Sequence, residues 1–349
     1  MSYSKQKYRK YSVIIPSFNR SDEIHALLAS LAALQFPKDR FEVIIADDGS
    51  TDDTAHIVRQ AQQEYDYTLH YLSQKNQGPG AARNLGMSKA QGDFFIFLDS
   101  DVTVPPEWLA NVDRALQSEQ ADAFGGPDTY RKDFPPLLKA INYSMTSFLT
   151  TGGLRGKKGK KIAKYYPRSF NMGLSRDVWQ KIGGFSSLRH GQDIEYSHRI
   201  LKSGAKVIFV ADAPVFHKRR TNLRRFFRQV FNWGVARINL YKIDGQMLEL
   251  VHALPALATL AVLLIILLAL VWPPARPLLW FTVGFGIFLI LFSMIDSVFK
   301  YREIKPAFYL PVVIPAQIFG YGAGFIYNYI RRVIFKKGAK VGFRKNYYK

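Results

Sequence analysis

Residues 253–272 (ALPALATLAVLLIILLALVW) run for twenty positions without a charged side chain. As a helix, such a run crosses a hydrocarbon layer of roughly 30 Å. It lacks the polar face with which a soluble helix of that length would meet water. WPPARP then turns the chain, and residues 278–295 (LLWFTVGFGIFLILFSMI) form a second uncharged run. These two runs predict membrane spans at about 253–272 and 278–298. FKYREIKP sets off a third apolar run, 307–330, rich in glycine and interrupted by Pro311 and Pro315. With the N-terminal region in the cytoplasm, the WPPARP turn lies outside and FKYREIKP inside, as the positive-inside tendency prefers. A third full span would carry the basic tail outside. The third run is therefore expected to be re-entrant or interfacial, with three full spans as the alternative.

The charge distribution supports a membrane location. The 349 residues include 48 Lys and Arg against 27 Asp and Glu, a formal charge of +21. Seven of the basic residues lie in 153–168, eight in 214–242 and eight in 331–349, and none of these stretches contains an acid. Such clusters suit phosphates, whether of nucleotides, nucleic acid or anionic lipid. Two of them flank the apolar runs and no nucleic-acid motif accompanies them, so membrane lipids are expected partners and nucleic acid is not. There is no cysteine, which excludes disulfides, thiolate metal sites and a thiol nucleophile. The N-terminal MSYSKQKYRK leads into YSVIIPSFNR with no apolar signal region, so no secretory signal peptide is expected.

Before the apolar runs, short hydrophobic segments alternate with amphipathic ones. YSVIIP precedes SDEIHALLASLAALQ, FEVIIA precedes TDDTAHIVRQAQQEY, TLHYL precedes GPGAARNLGMSKAQ, and FFIFL closes the series. This alternation predicts βαβ units and an α/β fold with a largely parallel sheet. Ligands of such sheets bind beyond the carboxyl ends of the strands. There the sequence places PSFNR, DDGSTDDT and DSD. Asp99 and Asp101, two carboxylates where a buried strand leaves the core, repel one another unless a cation lies near. Mg²⁺ or Mn²⁺ suits such oxygens and accompanies phosphates. Taken alone, the pair fits a capped turn with Asp101 exposed better than a metal site.

The order VIIPSFNR, VIIADDGSTDDT, GPGAARNLGMSKAQGDFFIFLDSDV, FNMGLSRDVWQKIGGF and GQDIEYSHRI resembles the family 2 glycosyltransferases, over roughly residues 11–217. The resemblance implies a Rossmann-like GT-A fold and inverting transfer from a nucleotide-diphosphate sugar. It places Pro16, Phe18 and Arg20 along the nucleotide, and Asp48 on the base, which favours a UDP-sugar. Helix capping is the other role open to Asp47 and Asp48. The resemblance also puts Gly80, Arg83, Asp99 and Asn171 around the donor. Asp101, with Asp99, would bind Mn²⁺ or Mg²⁺, and His217 would be a third ligand or a phosphate-contacting surface residue. Asp193 matches the family's catalytic base; Gln192 stands where the family usually has Glu. QVFNW resembles the Q-x-x-R-W motif of processive synthases, with Gln229 and Trp233 retained and Asn232 in place of the arginine, which argues against processivity.

Four regions follow: a catalytic domain at 1–217, a basic amphipathic segment at 218–246, a membrane region at 247–335 and a basic tail at 336–349. In the second, Leu223, Phe226, Phe227, Val230 and Phe231 make an apolar stripe among Arg224, Arg225 and Arg228. That pattern predicts a helix at the head groups, or one packed on the catalytic domain. The lysine-rich insert at 153–164 is expected to close over a diphosphate or to lie near anionic lipid. The whole would be an integral membrane enzyme, its catalytic domain on the cytoplasmic face of a bacterial-type inner membrane, and its hairpins could support an oligomer. Relatives that glycosylate polyprenyl phosphate usually continue D-x-D differently, whereas here VTVPPEW follows and a base is present. A hydroxyl on a lipid-linked or cell-surface glycan is therefore the expected acceptor. Polyprenyl-phosphate transfer, and a non-catalytic membrane scaffold with a decayed domain, are the alternatives.

Overall fold

The computed structural model describes residues 9–129, 134–147, 150, 165–217 and 222–339. The insert at 153–164 and the end of the basic tail lie outside the described residues.

Four parallel strands form first: β1 (Tyr11–Ser17), β2 (Phe41–Asp47), β3 (Thr68–Ser73) and β4 (Phe94–Leu98). Each is the apolar run expected from the sequence. Val13 pairs with Val43 on one side and Ile96 on the other. Every residue of β1, β2 and β4 is buried, as in a sheet covered on both faces. Alternation sorts their side chains. Val13, Ile15, Val43 and Ile45 meet Leu27, Leu28 and Leu31 of α1 (Ser21–Ala32) and Val58 of α2 (Thr54–Glu64). Ile14, Ile44, Phe95 and Phe97 face the other way, onto Met87 of α3 (Pro79–Lys89) and Tyr196. Each fully buried side chain of this kind contributes about 1.5–3 kcal/mol.

The sheet continues through β8 (Asn171–Ser175), β6 (Ala123–Gly125) and β9 (Val207–Phe209), giving the order β3-β2-β1-β4-β8-β6-β9. Only β8 runs against its neighbours. The α/β class and the largely parallel sheet are as expected. Strand order reverses between β1 and β4, so the loops leaving those strands diverge and open a crevice. A second, three-stranded sheet lies there, made of β5 (Val102–Thr103), β10 (Val215–His217) and β7 (Asp128–Thr129). α4 (Trp108–Ser118) covers one sheet face, while α6 (Arg176–Ile182) and α7 (Gln192–Lys202) cover the other.

The C-terminal part is helical. α8 (Leu223–Ile243) is capped by Asn222, whose side chain accepts from Arg225 N at 2.8 Å. α9 (Leu250–Val271) and α10 (Arg276–Tyr301) carry the first two apolar runs and expose large aliphatic and aromatic side chains along their length. The third run is one continuous helical stretch, Ala307–Ile334, containing α11 (Leu310–Tyr329). It does not turn back on itself as a re-entrant hairpin would. Pro311 sits in the first turn of α11, where a missing N–H costs little. Among the described residues, three helices are thus long and apolar enough to cross a membrane.

α8 joins the two parts. Its Phe226 and Val230 pack with Ile141 and Tyr143 of α5 (Pro136–Thr146) and with Leu310, Val313 and Ile314 of α11. Arg224, Arg225 and Arg228 stay exposed. Gly234 on α8 lies against the Tyr321 carbonyl, and Gly324 on α11 against the Phe231 carbonyl, so close that a Cβ at either would collide with backbone. A polar seam ties α5 to α10 and the turn after it: Lys139 to Glu303 at 2.6 Å, Asn142 to Tyr301 at 2.8 Å, and Tyr143 to Asp296 at 2.6 Å.

Candidate active site

The loops leaving β1 and β2 are stitched together. Asn19, at a left-handed φ of 51°, donates its N–H to Ser50 Oγ at 2.8 Å and accepts from Thr51 N at 2.7 Å. Ser21 N donates to Asp52 at 3.0 Å. Pro16 is buried within β1, and Phe18 and Arg20 are half-buried just beyond it. Arg20 pairs with Glu23 at 3.2 Å. Asp47 ends β2 and accepts from Ser50 N at 3.0 Å and the Tyr71 hydroxyl at 3.1 Å.

Asp48 faces inward. Its carboxylate accepts from Gln74 Nε2 at 2.8 Å, Gln77 N at 2.9 Å and Gly78 N at 2.6 Å, and it is almost fully buried. It therefore anchors the loop that enters α3. Gly78 precedes that helix at a φ of 99°, which only glycine adopts without strain. Gly80, in the first turn of α3, abuts the Gln192 amide, which a Cβ there would meet at 2.6 Å.

β4 delivers the paired carboxylates. Asp99 takes a 2.5 Å ion pair from Arg83, whose guanidinium lies 5.4 Å from the Phe185 ring centroid. Burial pushes the Asp99 carboxyl above its usual range; Arg83 opposes that and neighbouring Asp101 adds to it. Three residues on, the chain enters β5, which pairs antiparallel with β10 and sets His217 opposite Val102. This register brings His217 Nε2 to 3.2 Å from Asp101. Asp128, placed by β7, lies 3.7 Å from His217 Nδ1. One ligand atom from each of Asp99, Asp101 and His217 falls within 4.8 Å of the others. Two carboxylates and an imidazole are a donor set that fits Mn²⁺ or Mg²⁺.

Asp193 stands in the first turn of α7, after Gly191 at a φ of 89°. Arg168 donates to it at 3.0 Å. Burial pushes the Asp193 carboxyl up, but the Arg168 guanidinium, the Ile194 N–H and more distant Arg83 outweigh burial and hold it below the usual carboxylate range. Asp193 is thus ionised at neutral pH. It also acts electrostatically on Asp99, so the base candidate lies near the metal-type cluster.

Asn171 departs from its expected donor role. It is fully buried, its Oδ1 accepts from Trp108 Nε1 at 3.2 Å, and its Nδ2 donates to the Ala213 and Pro127 carbonyls at 2.8 and 3.3 Å. Every polar atom of its side chain is engaged internally, so it braces the strands rather than facing a ligand. Two residues outside the expected set, Asp128 and Arg168, meet His217 and Asp193. The one signal for Arg168 is a basic residue two positions before FNMG. The expected site residues Pro16, Phe18, Arg20, Gly80, Arg83, Asp99, Asp101, Asp193 and His217 do gather at the carboxyl edge of the sheet.

Comparison with known proteins agrees with this layout. The model of glycosyl transferase family 2 matches residues 12–183. The chain is 28% identical over 244 residues to Glycosyltransferase AglE of Haloferax volcanii, covering 70% of this chain and 78% of that one. It is 26% identical over 287 residues to the succinoglycan biosynthesis protein ExoA of Rhizobium meliloti, covering 80% and 85%. Among solved structures, mannosyltransferase PcManGT from Pyrobaculum calidifontis, in complex with GDP-Man and Mn²⁺, matches at a TM-score of 0.66 and 19% identity over 95% of this chain and 89% of that one. At that identity the likeness is one of fold.

Proposed function

Because the chain belongs to glycosyl transferase family 2, we propose that it is a membrane-bound inverting transferase. On this reading it moves a sugar from a nucleotide-diphosphate sugar to a hydroxyl of a lipid-linked or cell-surface glycan, with Asp193 as general base. The observation that carries the reading is proximity: Asp99, Asp101 and His217 converge, and the ionised Asp193 lies near enough to act on Asp99.

The roles divide by charge. Asp99, Asp101 and His217 would hold Mn²⁺ or Mg²⁺, which neutralises a leaving diphosphate. Arg83 fixes the Asp99 carboxylate and adds positive charge on the donor side. The acceptor oxygen attacks the anomeric carbon, the nucleoside diphosphate leaves with the bonding pair, and Asp193 takes the hydroxyl proton. Arg168 orients Asp193 and keeps it deprotonated until the acceptor arrives. Engagement of Asp48 by three donors of its own chain weakens the case for uridine, so donor choice is left to the assay.

Three apolar helices and the flanking basic clusters support an integral membrane protein with the catalytic domain on the cytoplasmic face. The name of ExoA, a succinoglycan biosynthesis protein, fits a glycan acceptor. The test is sugar transfer by detergent-purified full-length protein with Mn²⁺ or Mg²⁺, labelled UDP- and GDP-sugars and a bacterial lipid extract. Label should enter a lipid-extractable product with wild type and not with Asp193→Asn. Equal labelling by the variant would select the second reading, a phosphate acceptor that needs no base. A chain that binds nucleotide sugars but transfers from none of them would be a scaffold.

A further inference from the structure

Behind Asp193, where α7 meets α8, lies a cluster of buried polar groups with too few partners. Arg237 of α8 is 8% exposed; it donates to the Met247 carbonyl at 3.1 Å and interacts with the Tyr321 hydroxyl of α11. Its Nε is buried with no acceptor, and among the described residues no carboxylate pairs with it. Arg168 is close enough to repel it. Tyr166 is also 8% exposed, and its buried hydroxyl has no hydrogen-bond partner. Its electrostatic neighbours are Glu249, Arg237 and Asp244. His252, in the first turn of α9, accepts from Glu249 N at 3.1 Å through Nδ1, which leaves Nε2 as the protonated nitrogen. Arg237 and Arg168 both act on it.

A buried guanidinium without a counter-ion costs several kcal/mol, and an orphaned hydroxyl about 1–3 kcal/mol. Packing alone does not explain them, since hydrophobic residues of similar size would fit there at lower cost. An arriving anion would satisfy both at once. Arginine suits the planar, two-pronged recognition of phosphate, with Tyr166 and Tyr321 as further donors. The position indicates the source. The cluster draws its residues from α8, α9 and α11 and adjoins Arg168, the partner of Asp193, so an anion held by it would lie near both the apolar helices and the base. We infer that Arg237, with Arg168, Tyr166, Tyr321 and His252, binds the phosphate of a lipid-linked acceptor and thereby sets its reacting group beside Asp193.

This inference rests on the proposed acceptor class and specifies it: the lipid carries a phosphate or diphosphate ester near the reacting end. The probe is farnesyl diphosphate, compared with farnesol and inorganic pyrophosphate, binding to the full chain in detergent. Farnesyl diphosphate should bind, with affinity falling at least tenfold in Arg237→Gln while UDP binding stays unchanged. Tyr166→Phe provides a control independent of folding. It removes an unsatisfied hydroxyl, so the unfolding temperature should hold or rise while farnesyl diphosphate binding weakens.

Affinity retained within twofold in either variant, at an unchanged unfolding temperature, would overturn the site. Equal binding of farnesol would remove the anion from it, and equal binding of pyrophosphate would remove the lipid. Arg237-dependent farnesyl diphosphate binding in a protein that transfers no sugar would leave this site standing and refute the proposed activity. Transfer to a lipid acceptor that is indifferent to Arg237→Gln would do the reverse.

Discussion

The carboxyl edge of the sheet and the helical seam behind it handle buried charge in opposite ways. At the edge, each acid meets donors brought by neighbouring loops: Asp48 the amides ahead of α3, Asp99 Arg83, Asp101 His217, and Asp193 Arg168. In the seam, polar groups come from helices far apart in sequence, and some stay unmatched. Asn328 of α11 donates to the Val235 carbonyl at 2.7 Å and to Asn239 Oδ1 at 3.0 Å, while Arg237 Nε has no acceptor. The difference shows what each region does. Arg83 Nε at the edge also lacks an acceptor, but its guanidinium is paired with the Asp99 carboxylate, whereas Arg237 in the seam has no carboxylate partner among the described residues and can take an anion.

The comparison breaks most sharply in catalysis. Asp193→Asn and Asp101→Ala should each lower the transfer rate by roughly 10²–10⁴-fold with little change in unfolding temperature, because neither side chain supports the core. A fall in unfolding temperature of many degrees would mean that the edge is structural after all. In the seam the ordering reverses. Gly324→Leu drives a side chain into the Phe231 carbonyl and should cost about 3 kcal/mol or more, read by thermal unfolding in detergent. Asn328→Ala should cost about 1–3 kcal/mol by removing two buried hydrogen bonds, although Asn239 Oδ1 keeps its Arg332 donor. Stability unaffected by both would dissolve the seam as a packing unit.

A pH profile sharpens the contrast. The Asp193 carboxyl lies below its usual range, so it is ionised above that range and activity should fall only as pH drops through the depressed value. Arg168→Gln removes the main opposing influence and leaves burial, so the acid limb should move to higher pH. An unmoved limb would show that another group titrates. The smallest effect belongs to the surface, where Lys206 and Glu119 pair at 3.4 Å with both side chains more than half exposed. Lys206→Ala should change stability by about 0–1 kcal/mol.

The edge was legible in the sequence because its information is local. An apolar run followed by acids announces a buried strand and what leaves it, and β1, β2 and β4 with Asp48, Asp99 and Asp101 followed directly. Asn171 shows the limit of that locality. Motif position alone suggested a donor contact, but its amide is taken by Trp108, Ala213 and Pro127, residues up to 63 positions away. Asp128 was invisible because only the pairing of two short strands carries it to His217. The third apolar run looked broken by its prolines and glycines. Yet Gly320, Gly322 and Gly324 are contact points with α8 and α9, and small residues at a helix crossing carry no periodic signal of their own.

The close crossing of α8 and α11 has a mechanical corollary. Gly191, next to the turn bearing Asp193, rests on Ala236 and Leu240 of α8, which a Cβ there would meet from 3.3 Å. α8 in turn lies backbone-to-backbone on α11. Hydrophobic mismatch between protein and bilayer is relieved in part by helix tilt, at fractions of a kcal/mol per Å. A tilt of α11 would reach the position of Asp193 through two rigid contacts. With the proposed membrane placement, the acyl-chain length of the surrounding lipid would become a variable of the proposed active site as well as of the anchor.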